Sequence, residues 1–402
     1  MTNKILFSSH QSKLRISFMI TCLSIIFFNN TLCSASDNQN IEANLVEILE
    51  NIYLNKNENA LKKAEKLTET YPNFALGHLI MGDLLYSQFN SLESLGIDQL
   101  PGSKVTKLIE EAIARIRRHY RNDLSTLIPN YLLKITEKYS HILVIDTSSS
   151  TMFIYKNLGE NFKYVTNFYV SIGKKGVKKL REGDKKTPLG IYRVTREISA
   201  TSLSDFYGAG AFPINYPNKW DQINGYGGYG IWLHGSPWST YSRPPQDSDG
   251  CIVLNNDDFI KLGEYIDTNG TPVIISEKIE WNTAGKNKKR MKTLLTKVEK
   301  WKADWESLDT EEYLTNYSNL FTDGKRNFQD WAKRKKEINS RKKWIKVEIA
   351  DLSITPYPSE KNLVAITFTQ YYNSNNLNDR MSKIQYWSKD SDEWKIIYEG
   401  KN

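Results

Sequence analysis

The sequence predicts a multidomain protein: an α-helical N-terminal module, a mostly β domain, and a C-terminal α+β domain. The chain has 402 residues, too many for one ordinary domain. Apolar residues recur at helical spacing up to residue 139, and short runs rich in β-branched and aromatic residues follow. Beyond Glu277 a basic helical stretch precedes several strand-like runs. We therefore place the domains at 36–139, 140–277 and 278–402.

Residues 1–35 have the pattern of a secretory signal peptide. Basic residues precede the apolar run Ile16–Phe28, and Cys33–Ala35 supplies small residues for cleavage. The run is too short to span a bilayer comfortably. We expect export through this signal and no stable membrane span after cleavage. Lipid attachment at Cys33 is less favoured, because Leu32 stands where lipoprotein processing requires a small residue.

The helical module contains one unit, residues 60–83, that resembles a tetratricopeptide-type helix pair broken at Tyr71 and Pro72. A single pair of this kind cannot bury its own apolar face. The module should therefore pack on the following domain or on a second copy of the chain, which would make a homodimer. We expect His78 and His119, which lie in this module, to be structural.

Composition excludes some classes of function. The chain carries 54 basic and 46 acidic residues, and no basic motif accompanies a nucleic-acid recognition element, so we predict no nucleic-acid partner. A structural zinc site requires about four Cys or His ligands. Residues 140–277 hold only His141, His234 and Cys251 as such ligands. We therefore expect no metal and no cofactor.

Cys251 is a candidate nucleophile. Cys22 and Cys33 both fall in the signal segment, so the mature chain would keep Cys251 as a lone thiol. The dipeptide Asp249-Gly250 before it favours a tight turn, and the apolar run after it favours a strand. A turn at a strand edge suits a reactive thiol better than the alternative, a buried inert cysteine.

A thiol nucleophile needs a base or a cation nearby, because the thiolate is the attacking form. His234 ends the apolar run Ile231–Leu233 and is followed by Gly235, so it stands where a strand meets a loop. A base at a strand end and a thiol on a turn can converge. Although a lone histidine is more often structural, its pairing with the lone Cys251 favours a catalytic pair.

These residues resemble a known family. His234-Gly235, followed by Ser248-x-Gly250-Cys251-Ile252, resembles the signature of the L,D-transpeptidase (YkuD-like) catalytic domain. The resemblance covers about residues 140–277. It implies that Cys251 attacks, that His234 is the base, and that the Gly235 carbonyl orients the imidazole. It also implies an oxyanion site at backbone N–H groups near Gly250 and Cys251, with Ser248 and Asp249 in the same turn.

The chain departs from the family pattern at Asp249, where the family usually has a second histidine. Two interpretations stay open for this carboxylate. It can be a turn residue, since Asp-Gly is a common turn dipeptide. Alternatively, it can interact with a charged His234 and raise the pKa of the imidazole.

Substrate contacts are predicted around the loop between His234 and Cys251. Arg243 could pair with a substrate carboxylate, although a solvent-exposed arginine is an equally good interpretation. Trp232 and Tyr241 offer aromatic surface for a peptide.

The C-terminal runs resemble the nuclear-transport-factor-like (SnoaL-like) fold, a cone-shaped sheet around a pocket. The three-part layout resembles the L,D-carboxypeptidases that trim peptidoglycan stem peptides in helical bacteria. This implies a periplasmic cysteine peptidase that removes the terminal D-Ala from tetrapeptide stems. The alternatives are an L,D-transpeptidase that forms cross-links or attaches proteins to murein, and a non-catalytic wall-binding protein.

Overall fold

The computed structural model describes residues 41–88, 102–120, 126–268, 270–390 and 393–402. The predicted signal peptide, with Cys22 and Cys33, lies outside the described residues. Within these ranges, no helix combines the length and apolarity needed to cross a membrane.

The N-terminal module is helical up to His119, as its periodicity predicts, but residues 126–139, which the sequence also places in it, form turns and one short strand. Its described helices are α1 (Ile41–Tyr53), α2 (Asn57–Thr70), α3 (Ala75–Ser87) and α4 (Gly102–His119). Tyr71 ends α2 and separates it from α3, so the predicted helix pair forms. The apolar faces of these helices close over one core that includes Leu45, Ile48, Phe74 and Ile80. The module packs on the catalytic domain; a homodimer through it stays a prediction.

The catalytic domain is built on a five-stranded sheet of order β4-β3-β2-β12-β6. Its strands are β2 (His141–Asp146), β3 (Thr151–Asn157), β4 (Phe162–Tyr169), β6 (Gly190–Arg193) and β12 (Pro272–Ser276). The central strands β2 and β12 run parallel and carry near-continuous apolar runs, because both faces of the sheet are covered. This sheet is the support on which the site is assembled.

A second sheet, of order β11-β9-β8-β7, carries the candidate catalytic residues. Its strands are β7 (Ile198–Ser199), β8 (Gly210–Pro213), β9 (Trp232–His234) and β11 (Ile252–Val253). Strand β11 lies parallel to β9, with Ile252 opposite Leu233 and Val253 opposite His234. Short elements complete the domain: β5 (Ile172–Gly173), β10 (Gln246–Ser248), α5 (Lys219–Ile223) and α6 (Asn256–Gly263). The register between β9 and β11 places Cys251, just before β11, beside Trp232, two residues before His234 on the adjacent strand.

The C-terminal domain combines helices with a curved sheet of order β14-β18-β17-β16-β15. Its elements are α7 (Ala284–Glu306), α8 (Thr310–Leu314), α9 (Phe328–Asn339), β14 (Tyr317–Thr322), β15 (Ile345–Pro356), β16 (Leu363–Ser374), β17 (Leu377–Asp390) and β18 (Glu393–Lys401). Trp301 and Trp305 of α7 are buried against this sheet. Thus the predicted three-part fold class is confirmed.

The C-terminal domain contacts both preceding parts of the chain. Strand β1 (Leu127–Pro129), which follows the last helix of the N-terminal module, pairs with β13 (Trp281–Thr283) of the C-terminal domain. The side-chain amide of Asn218 also donates to the Tyr357 hydroxyl at 2.9 Å. The catalytic domain therefore contacts the modules on both sides of it.

Candidate active site

Cys251 follows a turn that requires glycine. Gly250 has φ +126°, and a Cβ there would lie 2.7 Å from the Lys186 carbonyl oxygen. The Ser248 hydroxyl donates to the Cys251 carbonyl at 2.6 Å and accepts from the Gly250 N–H at 3.1 Å. The Thr187 hydroxyl donates to the Gly250 carbonyl at 2.9 Å. These contacts fix the turn and present the thiol at the start of β11.

The thiol of Cys251 is free and half-buried. Its Sγ lies 3.3 Å from the Gly230 carbonyl oxygen and donates to it. Burial raises the pKa of this thiol to about 11, although the Trp232 backbone N–H and the charges of Lys179 and Arg243 act in the other direction. The resting sulfur is therefore protonated near neutral pH.

His234 is buried at the end of β9, with only 1% of its surface exposed. Its Nδ1 lies 2.6 Å from the Gly235 carbonyl oxygen. A carbonyl can only accept, so Nδ1 carries the proton and Nε2 keeps its lone pair. Burial lowers the pKa of His234 to about 4. The imidazole is therefore a neutral base whose tautomer is set by the Gly235 carbonyl.

Gly235 is required by close packing behind the histidine. A Cβ at this position would overlap Asn256 Oδ1 and would lie 2.9 Å from the Ala209 nitrogen. The same Asn256 oxygen accepts from the Ala209 N–H at 2.9 Å. Asn256, which the sequence did not single out, therefore holds the Ala209 backbone and packs against Gly235, whose carbonyl orients His234.

Two aromatic residues that pack beside His234, Phe206 and Tyr207, were not predicted from the sequence. The Tyr207 ring lies 5.1 Å from the His234 imidazole and 4.9 Å from the Trp232 ring. The Phe206 ring lies 5.8 Å from the imidazole. The Arg243 guanidinium lies 4.8 Å above Phe206. The two adjacent aromatics before Gly208 were the available signal, but nothing in the pattern linked them to a site 27 residues later.

Of the predicted substrate contacts, the structure brings Trp232 and Arg243 to the site. The Arg243 guanidinium lies over the Phe206 ring next to the imidazole, and its positive charge lowers the pKa of both His234 and Cys251. Tyr241 has a different role from the predicted one. Its ring packs 4.9 Å from Tyr71 and 5.5 Å from Phe74, both in the helical module.

Asp249 forms an ion pair with Lys174, with 2.7 Å between Oδ1 and Nζ. This hydrogen bond lowers the pKa of Asp249. Asp249 is not among the groups that shift the pKa of His234, which burial lowers and the charge of Arg243 lowers further, so the structure favours the turn interpretation. Asp249 therefore ties the turn to Lys174.

Among the described residues, no three His, Cys, Asp or Glu side chains cluster in a way that could hold a metal ion.

Two family models match the chain. Residues 140–275 match the L,D-transpeptidase catalytic domain (YkuD), and residues 293–400 match the Cds6 C-terminal NTF2-like domain. No curated protein sequence matches the chain significantly.

Solved structures resemble the chain over most of its length. Bd1075 from Bdellovibrio bacteriovorus is 31% identical, with a TM-score of 0.60 over 68% of this chain and 97% of that one. The helical cell shape determining protein Pgp2 from Campylobacter jejuni is 28% identical, with a TM-score of 0.57 over 69% of this chain and 95% of that one.

Fold and site together define a cysteine-dependent enzyme class that acts on peptidoglycan. The chain belongs to the L,D-transpeptidase (YkuD) catalytic domain family and carries an NTF2-like domain at its C-terminal side.

Proposed function

We propose that the protein is a periplasmic L,D-carboxypeptidase that removes the terminal D-Ala from peptidoglycan tetrapeptide stems. One observation carries the proposal: the buried, neutral His234 keeps Nε2 unprotonated on the strand next to the turn that presents Cys251. The likeness to a helical cell shape determining protein supports a role in shaping the wall.

The reaction begins when Sγ of Cys251 attacks the carbonyl carbon of the diamino acid. Because thiol and imidazole are both neutral at rest, the thiol proton passes to Nε2 of His234 as the C–S bond forms. Backbone N–H groups near Cys251 would hold the oxyanion, and each such donor contributes about 100-fold or more in rate. The Gly250 N–H is not one of them, because it donates to the Ser248 hydroxyl.

Collapse of the tetrahedral intermediate breaks the C–N bond, and His234 gives its proton to the departing amine of D-Ala. A thioester remains on Cys251. Water then attacks this thioester, with His234 again taking the proton, and the tripeptide stem leaves as the thiol re-forms.

Arg243 is the group that would recognise the substrate's terminal carboxylate. Its guanidinium lies against Phe206, beside the imidazole, and a guanidinium pairs with a carboxylate through two parallel hydrogen bonds. A D-Ala carboxylate at this position would lie next to the bond that is cleaved.

The test is to incubate the purified protein with disaccharide tetrapeptide, with and without an amine acceptor, and to identify the products by mass spectrometry. We expect free D-Ala and tripeptide in both reactions. Cross-linked product in the presence of the amine would identify a transpeptidase, and binding without turnover would identify a wall-binding protein.

The periplasmic location rests on the signal pattern of residues 1–35. Fractionation of cells that express the full chain should recover it in the periplasm, with a mature N-terminus near residue 36. Recovery from the cytoplasm with the leader intact would contradict this location.

A further inference from the structure

The loop between His234 and Cys251 is attached to the helical module. The side-chain amide of Asn73 donates to the Trp238 carbonyl at 2.9 Å, and the Tyr241 N–H donates to the Asn73 carbonyl at 3.1 Å. The Tyr241 ring extends the apolar core of the module, against Tyr71 and Phe74. One backbone segment of the active-site loop is therefore built into the module.

A second attachment is a hydrogen bond from the loop to a buried group of ion pairs in the module. Ser242 immediately precedes Arg243 in the chain. Its hydroxyl donates to Glu111 Oε1 at 2.5 Å. Glu111 also accepts from Arg115 Nε at 2.9 Å, and Arg115 Nη1 donates to Glu42 at 2.6 Å. Arg115 is completely buried. Glu42, Arg115 and Glu111 form one triad that spans α1 and α4 and ends on the loop, and Arg118 pairs with the other oxygen of Glu42 at 2.6 Å.

The triad also contacts the supporting sheet beneath the loop. The guanidinium of Arg115 lies 4.1 Å from the Tyr169 ring, and the Tyr169 hydroxyl donates to the Arg243 carbonyl at 2.9 Å. Arg243 is therefore held from both sides, through Ser242 and through Tyr169, and both supports meet at Arg115.

Burying these charges does not by itself stabilise the fold, so the triad is better explained by what it positions. A buried ion pair is often no more stable than apolar residues of similar size, because each charge loses its hydration. The cost here is incurred beside the loop that presents Arg243 to the catalytic pair.

We propose that the helical module forms part of the active site, and that the Glu42–Arg115–Glu111 triad holds the loop so that Arg243 meets the substrate carboxylate. Arg115 and Ser242 are then positioning residues, which act through Arg243. The effect on substrate rests on the proposed function, whereas the attachment of the loop does not.

The test uses the full mature chain and the substitution Ser242→Ala, which removes one hydroxyl and leaves the buried triad intact. Ser242→Thr restores a hydroxyl donor. Lys62→Ala is the matched control, because Lys62 forms only an exposed ion pair with Glu58 on the same module. Two quantities are measured: amide hydrogen exchange in residues 236–247, and KM and kcat for tetrapeptide hydrolysis.

We expect Ser242→Ala to speed exchange in this segment and to raise KM about fivefold to tenfold, the effect of one charge-assisted hydrogen bond, with kcat within about twofold. Ser242→Thr should restore most of the wild-type exchange rate and KM, and Lys62→Ala should leave both quantities unchanged. Unchanged exchange in Ser242→Ala would overturn the attachment, and faster exchange with unchanged KM would overturn its effect on substrate. If the wild-type chain releases no D-Ala, the proposed function fails, and the exchange data still decide whether the module holds the loop.

Discussion

Cys251 and His234 both have pKa values that keep them neutral over a wide pH range. Burial raises the thiol pKa to about 11 and lowers the imidazole pKa to about 4. A thiolate–imidazolium pair would require the opposite order of these values. The resting site is thus a thiol beside a base, and charge develops only when substrate is bound.

Alkylation of Cys251 by iodoacetamide distinguishes these two states. With a thiol pKa near 11, we expect the rate to rise about tenfold per pH unit through the neutral range, because the thiolate fraction rises at that rate. Hydrolysis should lose activity only as pH falls through about 4, where His234 becomes protonated. An alkylation rate that is flat from about pH 6 to 9 would instead indicate an ion pair.

Cys251→Ala removes the nucleophile without removing packing, since the side chain is only half-buried. We expect loss of D-Ala release by a factor of about 1,000 or more, as when a catalytic nucleophile is deleted elsewhere. The thermal midpoint should stay within a few degrees. Turnover by this variant at the wild-type rate would exclude the cysteine mechanism.

At this scale the sequence predicted the pair but not its surroundings. Cys251 and His234 are found from local context, because one follows Asp-Gly and the other ends an apolar strand. Phe206, Tyr207 and Asn256 act through contacts between segments far apart in the chain. No local pattern marks such residues. For the same reason the sequence places Tyr241 at the substrate, since no local pattern predicts its contacts with the distant helical module.

The chain packs closely at the end of β9 and before β11, and glycine is needed there because a side chain would overlap neighbouring atoms. At Gly235, the space for a Cβ is occupied by Asn256 Oδ1 and by the Ala209 nitrogen. Gly227 belongs to the glycine-rich segment before β9, and a Cβ there would meet nothing within 4 Å. The two positions therefore form a matched pair for substitution.

Gly235→Ala should displace the carbonyl that holds Nδ1 of His234. We expect activity to fall by about 100-fold, the effect of a displacement near 1 Å, and stability to fall by about 1–3 kcal/mol from overpacking. Gly227→Ala should leave both near wild type. Product release and urea unfolding of the two variants check this, and equal behaviour of the pair would show that the packing behind His234 is not critical.

Elements were predicted well where periodicity was long and poorly where it was short. Strands β2, β3, β16 and β17 stand out by their apolar and aromatic runs. Strand β14 was missed, because only Tyr317 and Phe321 of its six residues are buried, and polar or exposed residues lie between them. Its strand conformation comes from pairing with β18, a contact with no local signature.

At the scale of the whole molecule, the order of the three modules was predicted, but the contacts between them were not. The catalytic and C-terminal domains meet at α5, where the Trp220 ring lies 4.9 Å from the Tyr386 ring. Asn218 at the start of the same helix bonds Tyr357. Neighbouring Asp221 is 2% exposed and accepts from the Asn218 N–H and the Tyr192 hydroxyl.

Asp221 makes this contact region sensitive to pH. Burial raises its pKa from 3.8 to about 6, so the folded chain binds the proton more tightly than the unfolded chain does. Ionisation of Asp221 does not affect the free energy of unfolding below about pH 4. It lowers this free energy as pH rises from about 4 to about 6, and above pH 6 the loss stays constant, at about 3 kcal/mol at most. An asparagine at this position keeps one acceptor oxygen for the Asn218 N–H but cannot ionise.

We therefore expect Asp221→Asn to gain stability relative to wild type at about pH 7.5 and to gain little or none at about pH 4. Urea unfolding at both pH values, followed by tryptophan fluorescence, measures the difference. Asp257→Asn, the same chemical change at an exposed position in the first turn of α6, is the control and should show no such pH-dependent gain. An Asp221→Asn effect of equal size at the two pH values would mean that the carboxyl contributes through its hydrogen bonds to Asn218 and Tyr192 rather than through its charge.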